Sequence, residues 1–392
     1  MVRSILFWLH LASGVLTGLV ILMMSATGVI LTYERQLLAL EDSVYARVPA
    51  ASETRLSLDA LLDRAALDDF APDRITVSAD PTDAVVFAAG RDRTEYLDPY
   101  SGVAYTQHDG GLRRFLGSVR GLHRWFNATG ENRDRARMIT GTSNLLFLFL
   151  ICSGLYLWLP KLITAATLRA RLWLQPKPAT STARYFNWHH VFGIWAALPL
   201  LVIVATATVF YYSWANALVY RLAGESPPQR GGVAVADRVE AAEAPAPLLP
   251  LQTLFESATQ QVDDWRSIAI TLPPTASSSR VNFSIDQGNG GQPQKRHTLT
   301  LNGTTGEVAE WAPFSSQSTG RQARSWVRFL HTGEALGIVG QTVAGLASLA
   351  AVLMVWSGLL LALQRLLRYF KRRRGLARSA TRLATMPLGE SR

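Results

Sequence analysis

Residues 4–33 read SILFWLHLASGVLTGLVILMMSATGVILTY, thirty positions from Ser4 to Tyr33 without one Asp, Glu, Lys or Arg. A helix needs roughly 20 predominantly apolar residues to cross the hydrocarbon layer of a bilayer, so this stretch predicts a transmembrane helix. Three further charge-free stretches follow at 138–160, 185–220 and 335–364, with lengths of 23, 36 and 30 residues. Four such segments in 392 residues, 48% of them hydrophobic, exclude an ordinary soluble enzyme. The remainder leaves two sizeable water-facing parts, 34–137 and 221–334. The first stretch far exceeds the roughly 7–15 apolar residues of a signal peptide and no A-x-A site follows it, so it reads as a retained helix.

The net charge of +10 is unevenly placed. Arg3, the loop 161–184 and the tail 365–392 together hold 15 basic residues and 1 acid, whereas the two large segments hold 24 basic and 28 acidic. Basic residues gather in cytoplasmic loops, which puts the N-terminus, the middle loop and the tail inside and the two large segments outside. The run Lys371-Arg372-Arg373-Arg374 reads as an anchor beside anionic membrane lipid rather than as a nucleic-acid patch. Cys152 is the single cysteine, so there is no intrachain disulfide, no C-x-x-C-H haem attachment and no Cys-ligated iron–sulfur cluster. It reads as a small buried packing residue inside the second span.

The chain repeats itself. Val119-Arg120-Gly121-Leu122-His123 recurs as Val327-Arg328-Phe329-Leu330-His331, and Ser153-Gly154-Leu155 recurs as Ser357-Gly358-Leu359. Leu97-Asp98-Pro99-Tyr100-Ser101-Gly102 resembles Leu301-Asn302-Gly303-Thr304-Thr305-Gly306. His10 has Gly14 and Thr27 at the same distances at which His189 has Gly193 and Thr206. The expected architecture is therefore a membrane α-helical protein, with four transmembrane helices in two parallel repeats, each carrying a small α+β outer domain. Helices are expected at 57–69 and 250–262. Strands are expected at 74–78, 84–89 and 93–98, with one more after a Pro/Gly turn, and again at 267–272, 279–285 and 296–301. The boundaries that follow are helices at 4–33, 138–160, 185–220 and 335–364 and outer domains at 34–110 and 250–319. Between them lie the interfacial segments 111–137, with His123, and 320–334, with His331, and a Gly/Pro/Ala-rich linker at 221–249. The loop 161–184 and the tail 365–392 are cytoplasmic. Residues 287–294 form a long hairpin tip.

Seven histidines carry the functional signal. His108, in a polar loop, and His297, in an expected strand, read as ordinary surface residues. The other five sit in or beside the membrane helices, where ionisable groups are expensive and usually face a partner inside the bundle. Topology places His10 and His189 at the cytoplasmic end, and His123 and His331 at the outer end. A single histidine at a helix end is more often a packing or interfacial residue, and His190 reads that way at least as well as any other. Two repeat-related pairs at matching depth are instead what two bis-histidine haems require, since each iron takes two neutral imidazole nitrogens on opposite faces of the porphyrin. Helix bundles house cofactors in this manner.

Arg120, Arg124 and Arg328 flank the outer histidines and could pair with haem propionates, although interfacial anchoring explains any one arginine as well. Trp125, Phe126, Trp188 and Trp326 suit an interfacial aromatic belt. Gly14, Gly18, Gly28 and Gly193 suit either a flat macrocycle or close helix packing. The spans hold no acid, so a zinc or di-iron site lacks ligands, and no nucleotide loop, Ser–His–Asp set or H-E-x-x-H helix is present.

The segments Leu122-His123-Arg124-Trp125-Phe126, Ser153-Gly154-Leu155-Tyr156-Leu157-Trp158-Leu159-Pro160-Lys161, Trp188-His189-His190-Val191-Phe192-Gly193 and Leu330-His331-Thr332-Gly333 resemble those of the PepSY-associated transmembrane proteins. The resemblance covers nearly the whole chain, including two outer PepSY-type domains. It implies similarity to the inner-membrane ferric-siderophore reductases of that family, which carry b-type haem. Electrons would then pass outward to Fe(III) held by a siderophore in the periplasm, from quinol or a separate cytoplasmic reductase. The family's histidines map onto His10, His123, His189 and His331. Asn187 and His190 stand where the third-span motif usually has an acidic and a basic residue, which leaves His189 and His190 both open as the ligand. No catalytic residue and no siderophore pocket can be named. Two other readings stand beside this one: a non-enzymatic PepSY membrane anchor or regulator binding a periplasmic partner, and a haem electron-transfer protein for another periplasmic acceptor.

Overall fold

The computed structural model describes residues 1–45, 48, 54–67, 71–90, 93–105, 111–160, 162–228, 247–273 and 279–384. His108, Lys161, most of the expected linker (229–246) and the end of the tail (385–392) lie outside the described residues. The chain forms two compact units. Residues 1–32, 119–211 and 342–392 make the first, and residues 33–118 and 212–341 the second.

The first unit is helical. It is built on α1 (Val2–Leu31), α5 (Asn132–Trp158), α6 (Ala165–Leu172), α7 (Ser181–Tyr211) and most of α11 (Gly337–Ala384), with the last residues of α4 (Gly111–Trp125). Among the described residues four segments are long and apolar enough to cross a membrane: Val2–Ser43, Asn132–Trp158, Ser181–Tyr211 and Glu334–Arg373. The helices meet over a core of small and branched residues, Ile151, Ala196, Leu200, Val204, Ala347 and Ala351. Small residues suit helix crossings in lipid, where apolar burial drives nothing and close backbone packing does the work. Leu16, Leu19 and Leu198 point outward and are more than 70% exposed, which suits a surface solvated by acyl chains rather than water. Cys152, expected to be buried, lies on that exposed surface too, because its position on α5 faces away from the core of the bundle.

The third charge-free stretch is not one helix. α7 ends at Tyr211, Tyr212 takes an extended backbone, and α8 (Ser213–Leu222) follows in the second unit. The first stretch likewise gives way to a separate helix, α2 (Glu34–Tyr45). The interfacial segment 111–137 resolves into α4, a turn and the start of α5. Phe126 and Asn127 both have positive φ, 55° and 57°, and two such residues in succession stop a right-handed helix. α4 therefore ends just after His123.

The second unit holds the strands. They are β1 (Arg74–Ser78), β2 (Val85–Ala89), β3 (Arg93–Leu97), β4 (Ser267–Thr271), β5 (Arg280–Asp286), β6 (Arg296–Asn302) and β7 (Val308–Pro313). Among the described residues, the expected strand after the Pro/Gly turn contributes one bridge, between Leu97 and Ala104.

The sequence reading expects a separate small sheet in each half of the chain. The structure instead joins the strands in one antiparallel sheet of order β3-β2-β1-β4-β5-β6-β7. The junction is β1 on β4, in register from Arg74↔Thr271 to Ser78↔Ser267. Two separate sheets would each leave an edge of bare N–H and C=O groups there, and pairing removes both edges.

Two helices, α3 (Leu58–Leu67) and α9 (Leu251–Thr259), cover one face. Inward residues alternate along the strands, as the period of two requires. Ile75, Val77, Phe87, Ile268, Ile270, Phe283 and Ile285 meet Leu58, Leu61, Leu251 and Leu254 in a single core. The helices also cap each other. Asp59 accepts from the backbone N–H groups of Leu251 (2.7 Å) and Gln252 (3.0 Å), while Gln252 Oε1 accepts from Leu58 N–H (3.1 Å). These satisfy donors that a helix start leaves without intrahelical partners.

Candidate functional site

His10 on α1 and His189 on α7 come together inside the helical unit, with ring centres 6.4 Å apart and planes at 84°. The surroundings engage one nitrogen of each ring. His10 Nδ1 lies 2.8 Å from Ser153 Oγ, which also lies 2.7 Å from the Phe149 carbonyl. When the hydroxyl donates to that carbonyl it accepts from Nδ1–H, and Nε2 keeps its lone pair. His189 Nδ1 donates to the Met354 carbonyl at 3.0 Å, with the same result.

Each ring also lies along a glycine of the recurring Ser-Gly-Leu. A Cβ at Gly154 would sit 3.3 Å from His10 Cε1, and one at Gly358 would sit 3.2 Å from His189 Cε1. The other glycines divide differently. Gly18 meets Leu359, Gly14 meets Leu150 and Gly193 meets Met354 Sδ, so those three serve helix packing. Gly28 alone of the four borders a histidine, with His123 Cε1 3.7 Å from its would-be Cβ.

His123, on α4, is held in the same manner. Its Nδ1 lies 2.9 Å from Thr27 Oγ1, which donates to the Met23 carbonyl at 2.7 Å. Thr27 is buried within α1. His331 lies on α10 (Thr319–Thr332) in the sheet-bearing unit, two residues before Gly333 ends that helix with φ 77°. His190 is bonded within its own helix: Nδ1 donates to Phe186 O at 2.9 Å, and its ring packs on Phe186 at 4.1 Å. His189, not His190, is the third-span histidine whose ring is fixed by another helix.

Arg120, Arg124 and Arg328 are exposed. The Arg124 guanidinium lies over Trp125 and that of Arg328 over Phe329. The end of the unit near His10 and His189 is ringed by other arginines. Arg3 donates to the Leu157 and Leu159 carbonyls at 2.7 and 2.9 Å, and Arg171 to that of Trp158. These close the C-terminal end of α5, where carbonyls lack partners and the helix dipole favours cations. Arg365 lies over Phe7 and Trp8. Asn187 pins α6 and its following turn onto α7, donating to the Ala170 and Trp173 carbonyls and accepting from Gln175 N–H. Its amide has both a donor and an acceptor task, which a carboxylate would fill only in part. His297 stacks on Trp311 at 5.4 Å, with Nε2 2.8 Å from Gln287 Oε1.

His10 and His189 are the pair whose spacing two imidazoles on one haem iron would also have. Two imidazoles bonded to one iron at about 2 Å each, from opposite faces, place their ring centres about 6 Å apart. The His10–His189 spacing is of that size, and each ring has its Nδ1 oriented by a second group, as metal-ligating histidines commonly do. Among the described residues, no three His, Cys, Asp or Glu side chains converge. Ser153, Met354, Thr27, Gly154 and Gly358 escape a search for ligand-type residues. Their signal is the recurrence of Ser-Gly-Leu and the His–Thr spacing.

Fold and site together define a membrane protein with four span-length apolar helices and a separate antiparallel-sheet domain. The model of the PepSY-associated TM region matches residues 7–365, and the chain belongs to that family. No curated protein matches it.

Proposed function

We propose that this protein is an inner-membrane di-haem b electron carrier that reduces ferric siderophores in the periplasm and releases Fe(II). The observation that carries the reading is the His10–His189 pair, 6.4 Å apart with each Nδ1 engaged by another helix. His10 and His189 would hold one haem b, and His123 and His331 a second. Bound haem supplies a one-electron carrier whose potential is set by its axial ligands and surroundings.

The residues of the chain do the positioning. Ser153 and Met354 orient the inner rings, and Thr27 orients His123. Gly154 and Gly358 leave room beside the inner rings. Charge placement supports the direction, because a basic loop and tail held at the cytoplasmic face would leave the sheet domain in the periplasm. Quinol or a separate cytoplasmic reductase would deliver electrons singly at the inner end, and each would reduce one Fe(III) to Fe(II). Siderophore oxygens bind Fe(II) far more weakly, which frees the metal.

The test is a visible spectrum of detergent-purified protein, oxidised and dithionite-reduced, with a pyridine haemochrome count. A low-spin b-type spectrum with two haems per chain supports the reading, and reoxidation of the reduced protein by a ferric siderophore extends it to the acceptor. Protein without haem, from cells able to make it, overturns the reading in favour of a PepSY anchor that binds a periplasmic partner.

A further inference from the structure

α8 is a short helix with two apolar sides, and packing within the sheet-bearing unit accounts for one of them. Ala215 and Tyr220 are buried, and α8 packs against α10 so closely that a Cβ at Gly320 would collide with the Tyr220 ring. Arg324 Nε donates to Asn216 Oδ1 at 2.6 Å. Just past the end of α8, Glu225 accepts from the Gly320 N–H at 2.9 Å and from the Ser318 hydroxyl at 2.7 Å. That carboxylate caps the start of α10, so the two helices are fastened at two points.

Among the described residues nothing covers the other side. Trp214, Leu218 and Leu222 follow at intervals of four and form one stripe along the helix. They are 56%, 46% and 80% exposed, and a contiguous apolar surface of this kind marks a place where something other than water belongs.

The chain itself says what lies beside the stripe. α7 has 31 residues, which extend about 46 Å and match a bilayer with its headgroup layers, about 40–45 Å. Its last residue, Tyr211, is joined to the first of α8 by Tyr212 alone. Two Cα steps cover at most about 7.6 Å, so a spanning α7 starts α8 at the level of the headgroups. The rings of Tyr212 and Trp214 lie 6.0 Å apart, and such aromatics favour that level because each joins an apolar body to a polar tip. Arg221, in the last turn, is exposed, and its long stem can lie on acyl chains while its head stays among the headgroups.

We infer that α8 lies on the bilayer surface, with Trp214, Leu218 and Leu222 sunk among the acyl chains just below the headgroups. The inference needs no haem and goes beyond the proposed electron transfer, because it gives the sheet-bearing unit a lipid anchorage of its own. α10, which carries His331, is bonded to α8 and shares that anchorage.

The experiment places one nitroxide spin label at a time in the full-length protein carrying Cys152→Ala, in nanodiscs of phosphatidylethanolamine and phosphatidylglycerol. Trp214→Cys, Leu218→Cys and Leu222→Cys are compared with Leu198→Cys on α7 and Ser284→Cys on β5, both exposed positions. Collisions with oxygen, which concentrates among acyl chains, and with a water-soluble nickel chelate report depth. The three α8 labels should show an oxygen-to-nickel ratio well above that of Ser284→Cys and close to that of Leu198→Cys. A second readout uses no cysteine: the fluorescence that Trp214→Phe removes should be quenched in the wild type by lipid brominated on its acyl chains near the headgroup. The inference is overturned if the three labels meet nickel as freely as Ser284→Cys does, which marks water. It is overturned as well if they are shielded from both agents, which marks cover by protein such as a second copy of the chain, or if brominated lipid leaves the Trp214 fluorescence untouched.

Discussion

The Nδ1 of His189 donates to the main-chain carbonyl of Met354 on another helix, at 3.0 Å, while the neighbouring His190 donates to Phe186 within its own helix, at 2.9 Å. Two adjacent histidines on one helix point about 100° apart, so only one of them can face a given partner. The interhelical bond identifies His189 as the residue whose ring is fixed from outside. A backbone acceptor also cannot be removed by mutation of its side chain, so this orientation survives any change at Met354 that preserves the helix.

Replacing His189 by Ala should therefore remove one of the two proposed haems, with the pyridine haemochrome count falling from about two to about one per chain. His190→Ala should leave the count unchanged. The opposite pattern, loss with His190→Ala alone, would reverse the assignment of the third-span ligand.

Space beside the ring yields a second contrast. Gly358→Val puts branched carbon where a bare Cβ is already 3.2 Å from His189 Cε1. Gly193→Ala meets only the flexible Met354 side chain, with 3.5 Å to its sulfur. The first variant should lose the low-spin signal of the inner haem and the second should keep it. Absorbance of the two purified variants, normalised to protein, decides the matter.

Strands β1 to β6 were legible in the sequence nearly to the residue, because Val, Ile and Phe alternate with polar residues and turns punctuate them, whereas β7, whose first four residues are exposed, was not expected. Arg74–Ser78 and Ser267–Thr271 are examples. What was not legible is that these two strands pair with each other. Alternation reports which face is buried and carries no label for the neighbouring strand. The same limit explains the break at Tyr212. Hydropathy runs on through Tyr211-Tyr212-Ser213-Trp214, and only the backbone shows one helix ending and another starting. Histidine positions were readable, whereas Ser153 and Thr27 were not, since a hydroxyl on a helix looks alike whether it bonds its own backbone or also a ring.

Mutual capping of α3 and α9 makes the two halves of the sheet unit depend on one another. Asp59→Ala removes the acceptor for two backbone N–H groups at the start of α9, and should lower stability by about 0.5–2 kcal/mol. Phe283→Ala, in the fully buried core, should cost about 3–5 kcal/mol. Because one sheet carries both halves, chemical denaturation followed by tryptophan fluorescence should show a single shifted transition for the unit. Two independent transitions would contradict the joined core.

Tyr96 gives a pH prediction in the same unit. Burial first, and then the hydrogen bond it donates to Asp42 at 2.7 Å, push its hydroxyl above the ordinary tyrosine value of 10.0. A folded value above the unfolded one means that the native state keeps a proton the unfolded chain would lose. The stabilising contribution is therefore whole below about pH 10 and is lost as pH rises through the folded value. In an alkaline ultraviolet titration Tyr96 should ionise after the exposed tyrosines, and Tyr96→Phe should delete that late step. The Asp42–Arg113 ion pair, at 2.7 Å, remains in that variant. The loss at neutral pH should accordingly be only about 1 kcal/mol.

Two hydroxyls, Ser153 and Thr27, offer the most direct test of how the histidines are held. Each lies within hydrogen-bond distance of a ring Nδ1 and of a carbonyl one turn back in its own helix, so a hydroxyl that donates to that carbonyl accepts from the ring and sets its tautomer. Ser153→Ala removes the acceptor for His10 and leaves Nδ1–H without a partner in an apolar bundle, which favours rotation of the ring or transfer of its proton to Nε2. Rotation misdirects the Nε2 lone pair that a metal requires, and proton transfer to Nε2 removes it. Second groups of this kind typically contribute about 10–100-fold to metal affinity. Haem retention by Ser153→Ala during dilution into apomyoglobin should fall by about that factor at the inner site, with Thr27→Val acting likewise on the site of His123. Thr27→Ser should behave as wild type, since it keeps the oxygen and loses only a methyl. If Ser153→Ala and Thr27→Val both release haem at the wild-type rate, the hydroxyls serve helix packing alone and the tautomer argument fails with them.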